Sequence, residues 1–227
     1  MRSKIGGAIR NHPLFDKNFM KLLHDKQGFL LLVFLNLMIQ LYITYYFMMN
    51  SNKKKEQTLF IHLLTFIILL ILTVILSVVQ FPSWIKFIIF SIYSGIFGYY
   101  LSYLKYIVDP AIIQAAIVGS GSIFATMLLF GFMLVMMGVT IGVQFGGWLL
   151  FALLLLIISR IVVLFLGNYS TVRKIFAIVS LFLFSLYIIY DTNVILQRNY
   201  QGDFITASLD YYLDINNIFI NIVDLSQ

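Results

Sequence analysis

Two aspartates stand where a carboxylate is costly. Asp191 follows sixteen uncharged residues, 175–190, and Asp214 lies midway along an otherwise largely apolar segment, 204–225. A charged side chain at the bilayer centre costs at least about 2.5 kcal/mol unless it is protonated, paired or hydrated. If the two segments pack side by side, the carboxylates can meet. Two close carboxylates in a poorly hydrated site cannot both ionise cheaply, so they would share a proton and titrate as a coupled pair. Carboxylate oxygens, helped by Asn carbonyls, are also the ligands that Ca²⁺ prefers. Asp191 and Asp214 are therefore the candidate ion-binding, Ca²⁺-coordinating and pH-sensing residues. The competing reading makes Asp191 a marker of membrane exit, because Gln197, Arg198 and Asn199 follow it closely.

Asp214 does not stand alone. At about 100° per residue on a helix, Asp210, Asp214, Asn217, Asn221 and Asp224 fall within about 40° of Asp210 on either side. Thr206 shares that stripe and Asn216 lies off it, while the opposite faces carry Leu209, Tyr211, Tyr212 and Phe219. A segment of this kind is either a last span turned inward on a polar cavity or a re-entrant helix buried in a bundle. The sequence leaves both open. On either reading Asp210, Asn217, Asn221 and Asp224 are candidate pore-lining residues.

Other residues invite weaker readings. His62 sits among Phe60, Ile61, Leu63 and Leu64 and reads as a packed or interface histidine before it reads as a ligand. Arg160 interrupts a fifth span and reads as a side chain that snorkels to an interface, the alternative being a pair with an inner carboxylate. Gly119-Ser120-Gly121-Ser122 looks like a nucleophile loop. Small residues in a span more often serve close helix packing, and no histidine follows residue 62 to act as a base.

The elements that hold these residues are membrane helices. Of 227 residues, 61% are hydrophobic and only 11% charged, and the mean hydropathy is +0.97. A soluble domain is about half apolar and a quarter charged. A water-soluble globule, a disordered tail, a collagen and a disulfide scaffold are all excluded, and the absence of cysteine removes any thiolate metal site. One span needs about 20 apolar residues. Charge-free runs cover 26 residues after Lys26, 29 after Glu56, 18 after Lys86 and 50 after Asp109. The longest holds two spans, with glycines at 131, 138, 142, 146 and 147 marking the turn. The expected spans are 29–50, 58–80, 84–106, 111–137, 141–166, 172–196 and 204–225. They form one multi-pass domain, 29–227, behind a basic segment, 1–28.

The net charge of +6 does not point to nucleic acid. Six basic residues lie before residue 29 and three more form Lys53–Lys55, next to apolar spans, where such residues set orientation and touch anionic lipid. The partner they imply is the lipid bilayer. The first apolar run starts too late and runs too long for a cleaved signal. It reads as an uncleaved anchor with residues 1–28 on the cytosolic side, which puts the one sequon, at Asn168, on the opposite side. No internal repeat or soluble domain is visible.

The C-terminal third resembles a known family. FSLYIIYDTN (184–193) and ASLDYYLDINNIFINIV (207–223) are similar to the Bax inhibitor-1 family, the transmembrane Bax-inhibitor-motif proteins, which have bacterial and viral members. Tyr190-Asp191 and Tyr212-Leu213-Asp214, with Asn217 and Phe219, match its pattern residue by residue. The stretch 112–127 resembles the family more loosely. The resemblance implies six helices wrapped around a central seventh, and an aspartate pair, here Asp191 and Asp214, that gates a pH-sensitive Ca²⁺ leak. In eukaryotic and viral members it also implies suppression of cell death from endoplasmic-reticulum or Golgi membranes. A bacterial member would sit in the plasma membrane. Two departures stand out. Members often carry an arginine in the turn between helices two and three that can latch an aspartate, whereas this turn, SVVQFPSWIK, offers only Lys86. The usually basic loop between helices four and five is uncharged here.

Three functions follow as expectations. The first is a Ca²⁺ leak gated by protons, with no cofactor beyond the transported ion. The second is a non-conducting regulator that binds cell-death proteins or other channels. The third, remote, is an intramembrane aspartyl protease. That class carries Gly-x-Gly-Asp at its second aspartate and a later Pro-Ala-Leu. This chain reads Tyr211-Tyr212-Leu213-Asp214 and has no proline after Pro110, so no enzyme is expected.

Overall fold

The computed structural model describes residues 17–51, 59–166, 170–198 and 200–227. They form α1 (Lys17–Asn50), α2 (Leu59–Val78), α3 (Ser83–Leu101), the single-turn α4 (Leu104–Ile107), α5 (Pro110–Met136), α6 (Val143–Leu166), α7 (Ser170–Gln197) and α8 (Phe204–Ser226). No strand occurs among the described residues. Six candidate spans are long and apolar enough to cross a membrane, α3 and α4 counting as one from Ser83 to Ile107. The protein is a multi-pass all-α membrane protein. Lys53–Lys55, Asn168 and the basic residues before Lys17 lie outside the described residues.

Two helices show features beyond the expected spans. The first helix begins at Lys17, not near 29, because the helix continues past its apolar part. Lys26 explains why that extension docks: its ammonium donates to the carbonyls of Ile195 (2.7 Å) and Arg198 (2.6 Å) at the end of α7. The third span is interrupted at Ser102, whose hydroxyl turns back to the Tyr99 carbonyl at 2.7 Å. Asp109 then caps α5, accepting from the Ala111 amide at 2.8 Å, and Pro110 opens the helix, a position where its missing N–H costs nothing.

The helices alternate between two faces. The near face carries the starts of α1, α3, α6 and α8, and the far face carries the ends of the same four. α8 runs unbroken from one to the other over 23 residues, about 34 Å at 1.5 Å per residue. It therefore passes through the bundle rather than re-entering on the same side.

α8 packs directly against α7, α1, α5 and α3, whereas α2 packs on α3 and α6 on α7. The central helix thus has four immediate neighbours and two outer ones. Consecutive tyrosines fasten it in two directions. Tyr211, 1% exposed, lies edge-on to Phe124 at 5.2 Å and donates to Thr192 Oγ1 at 2.9 Å. Tyr212, 0% exposed, lies edge-on to Phe90 at 5.1 Å and shares a 2.5 Å hydrogen bond with Thr44.

Only part of the glycine cluster marks a turn. Gly138 adopts φ +77°, a left-handed conformation that favours glycine, and Gly142 lies in the same connection. Gly131 and Gly146 are instead helical sites of close approach to α7. A Cβ on Gly131 would meet Thr192 Cβ at 2.6 Å, and one on Gly146 would overlap the Tyr190 hydroxyl.

Candidate functional site

Asp191 comes from the last third of α7 and Asp214 from the middle of α8, two helices that pack along their length. Both carboxyls are buried and near enough for each to act on the other electrostatically. An ionised carboxylate only accepts hydrogen bonds, so a hydrogen bond between the two would need a proton. No lysine or arginine pairs with either among the described residues. Asp214 Oδ2 is buried, and no amide, hydroxyl or ammonium among the described residues donates to it. The two carboxyls thus face each other between α7 and α8 without a cationic partner among the described residues.

Asp210 lies one turn before Asp214, near enough for its charge to act on both members of the pair. It is half-buried and accepts from the Tyr200 hydroxyl at 3.1 Å. Tyr187, Tyr200 and Tyr211 are the other ionisable groups facing the pair. Among the described residues no three acidic or imidazole side chains converge on one point, while Ca²⁺ takes six to eight oxygens. Two carboxyls supply at most four.

The rest of the stripe divides in two. Asn217 and Asn221 bond back along their own helix, to the carbonyls of Leu213 (2.7 Å) and Asn217 (2.6 Å). Asn221 and Asp224 lie at the far face, where they meet Arg160 of α6. Arg160 Nη2 donates to Asn221 Oδ1 and to Ser180 Oγ (3.2 Å), and stands 3.9 Å from Asp224 Oδ2. Arg160 thus turns inward rather than snorkelling outward.

Lys86, in the first turn of α3, is only 3% exposed. Its ammonium binds Asp203 Oδ2 at 2.5 Å and Thr206 Oγ1 at 2.9 Å. It latches the start of α8, not the aspartate pair. Burial pushes the Asp203 carboxyl up, but hydrogen bonds from Lys86 and Thr206 outweigh it and hold the carboxyl below its ordinary value of 3.8. A depressed carboxyl stabilises the fold above its unfolded value and loses that contribution as pH falls through its lower folded value. The Asp203 carboxyl is therefore ionised throughout pH 6–8. Lys86→Ala is expected to destabilise the protein by about 1–3 kcal/mol, the cost of a half-buried group left without its partner, read as a lower melting temperature in detergent.

The remaining sequence candidates are structural. His62 Nδ1 shares a 2.9 Å hydrogen bond with the Tyr100 hydroxyl, and its ring packs edge-on to Tyr100 and Tyr103. The hydroxyls of Ser120 and Ser122 bond to carbonyls of their own helix, and Gly119 approaches Ile222 of α8.

Sequence reasoning missed a polar ladder on α1. Asn36 donates to Ser208 Oγ at 2.5 Å, Gln40 Oε1 accepts from Ser94 Oγ at 2.9 Å, and Thr44 reaches Tyr212. All three are buried. Their spacing of four residues inside an apolar run is the signal that would have found them.

Comparison with known proteins agrees with this architecture. The family model for "Inhibitor of apoptosis-promoting Bax1" matches residues 26–226. A Golgi anti-apoptotic protein of Vaccinia virus (strain Lister) is 32% identical over 84 residues, 37% of this chain and 35% of that protein. An uncharacterized protein of Helicobacter pylori (strain ATCC 700392 / 26695) is 38% identical over 80 residues, 35% of this chain and 34% of the relative. The aligned stretches thus span about a third of these relatives' length.

Proposed function

The chain belongs to the Bax inhibitor-1 family, and we propose that it is a cation leak, Ca²⁺ by preference, whose conductance follows the protonation of Asp191 and Asp214. The observation that carries this reading is the pair itself: two buried carboxyls on adjacent helices, near enough to act on one another and paired with no lysine or arginine among the described residues. Removing or adding a proton changes both the charge on the cation's route and the contact between α7 and α8. A protein of this design would respond to pH by shifting that contact.

The biological output we propose is restraint of cell death from a Golgi or endoplasmic-reticulum membrane, supported by the name of the vaccinia relative. A moderated Ca²⁺ store is the link between the two activities. The test is Ca²⁺ entry into liposomes holding the purified full chain, between about pH 6 and 8. Flux that varies with pH supports the leak. Its absence from folded, monodisperse protein would remove the leak and leave a regulator that acts by binding cell-death proteins or channels. Because the Asp203 carboxyl stays ionised across this range, Asp203→Asn is expected to leave the shape of the pH profile unchanged. A flattened profile in that variant would move the sensor away from Asp191 and Asp214.

A further inference from the structure

The polar stripe of α8 ends in a fixed positive charge. Arg160 lies in the span Val143–Val162, yet its guanidinium leaves α6, passes Ser180 on α7 and contacts Asn221 on α8, with Asp224 3.9 Å away. Asn221 is 1% exposed while the Arg160 side chain is 34% exposed, so the arginine reaches from the rim of the bundle to a buried partner. Arginine does not deprotonate in proteins, and a charge inside a span is costly enough to need a reason. Packing and pairing do not supply one in full, because Arg160 Nε is buried with no hydrogen-bond partner among the described residues. Nor does Asp224 cancel the charge: Arg173 also acts on it, so two cations face one carboxylate at this end.

We propose that Arg160 closes the α8 polar stripe at the far face, as a fixed cation that any ion on that route must displace. This rests on the reading of the stripe as a cation path. Asp210, Asp214 and Asn217 offer carboxylate and amide oxygens to a cation, and one turn further on the guanidinium occupies Asn221 and repels it. The closure is independent of the aspartate pair, since it involves other residues and a group that keeps its charge at every relevant pH. Conduction therefore requires two events, a change at Asp191–Asp214 and withdrawal of Arg160.

The test uses the full chain in liposomes. Arg160→Gln keeps a polar group for Asn221 but removes the charge, and should raise Ca²⁺ flux about tenfold, which corresponds to roughly 1.4 kcal/mol off the barrier. Arg160→Lys keeps the charge and should stay within about twofold of wild type. If Arg160 only packs, the two variants will behave alike, and that result overturns the proposal. Because the chain has no cysteine, Asn217→Cys supplies a readout that does not depend on flux. A membrane-impermeant cationic thiol reagent is added at the far face. It should leave the introduced thiol untouched while Arg160 is in place, and modify it once Asn217→Cys is combined with Arg160→Gln. A thiol already reactive with Arg160 in place would also overturn the closure. Newly reactive thiol without Ca²⁺ flux would keep the closure and remove the leak. Flux altered by Asp214→Asn but indifferent to Arg160→Gln would keep the leak and remove the closure. Should Arg160→Gln fail to fold, Arg160→Met carries the same expectations without a polar group to bury.

Discussion

Replacing Asp214 by Asn is expected to flatten the pH dependence of Ca²⁺ flux, leaving it within about twofold between pH 6 and 8. A single titrating site changes its charged fraction by up to about tenfold per pH unit, so the wild type has ample range to exceed that limit. In the proposed leak, the α7–α8 contact of the wild type depends on a proton shared by the two carboxyls, which lie near enough to act on one another. The Asn amide can donate permanently to Asp191, which makes the same contact without a titratable proton. Asp191→Asn should act the same way from the other side. The double variant should add little, because the two residues form one unit and interacting sites are not additive. Flux into liposomes across that pH range, with folding checked by monodispersity, is the measurement. A pH response that persists in both single variants would place the sensor elsewhere, with Asp210 and its Tyr200 partner the next group to examine.

The spans were legible because the bilayer imposes one length on every helix that crosses it, and Asp191 and Asp214 could be singled out as candidates because a carboxylate in an apolar run has few cheap explanations. The course of α8 was not legible. Its polar stripe fits a through-going or a re-entrant helix equally well, and only the Lys86–Asp203 latch at one end and Arg160–Asn221 at the other show that it crosses. Uncharged polar side chains also escaped notice. Asn36, Gln40 and Thr44 leave no mark on a charge count, yet with Ser208, Ser94 and Tyr212 they fasten α1 to α8 and α3. The glycines show the same limit, because sequence cannot separate a turn glycine such as Gly138 from one, such as Gly131, that admits a neighbouring helix.

Gly98→Ala should be the most destabilising single methyl group in the bundle, by about 1–3 kcal/mol or more. The added Cβ would overlap the Thr44 carbonyl oxygen and lie 2.9 Å from its Cα. Backbone cannot swing aside, so α1 and α3 must separate. Thr44 would move with them, and its hydroxyl is what holds Tyr212 (2.5 Å) and reaches the Ser94 carbonyl (3.3 Å). The strain therefore passes to the central helix that carries Asp214. Two other glycines grade the effect by what stands in the way. Gly131→Ala meets a Thr192 side chain fixed by its bond from Tyr211, and should cost less than Gly98→Ala because no backbone blocks it. Gly146→Ala meets the outer end of the Tyr190 ring, which can rotate away, and should cost least of the three. Gly121→Ala has nothing within 4 Å and serves as the neutral control, since alanine is the better helix former. Thermal melts in detergent should rank the variants in that order, with Gly98→Ala lower than wild type by about 5 °C or more. A melt indistinguishable from the control would mean that α1 and α3 do not approach through Gly98, and that α8 is held in the bundle by other contacts.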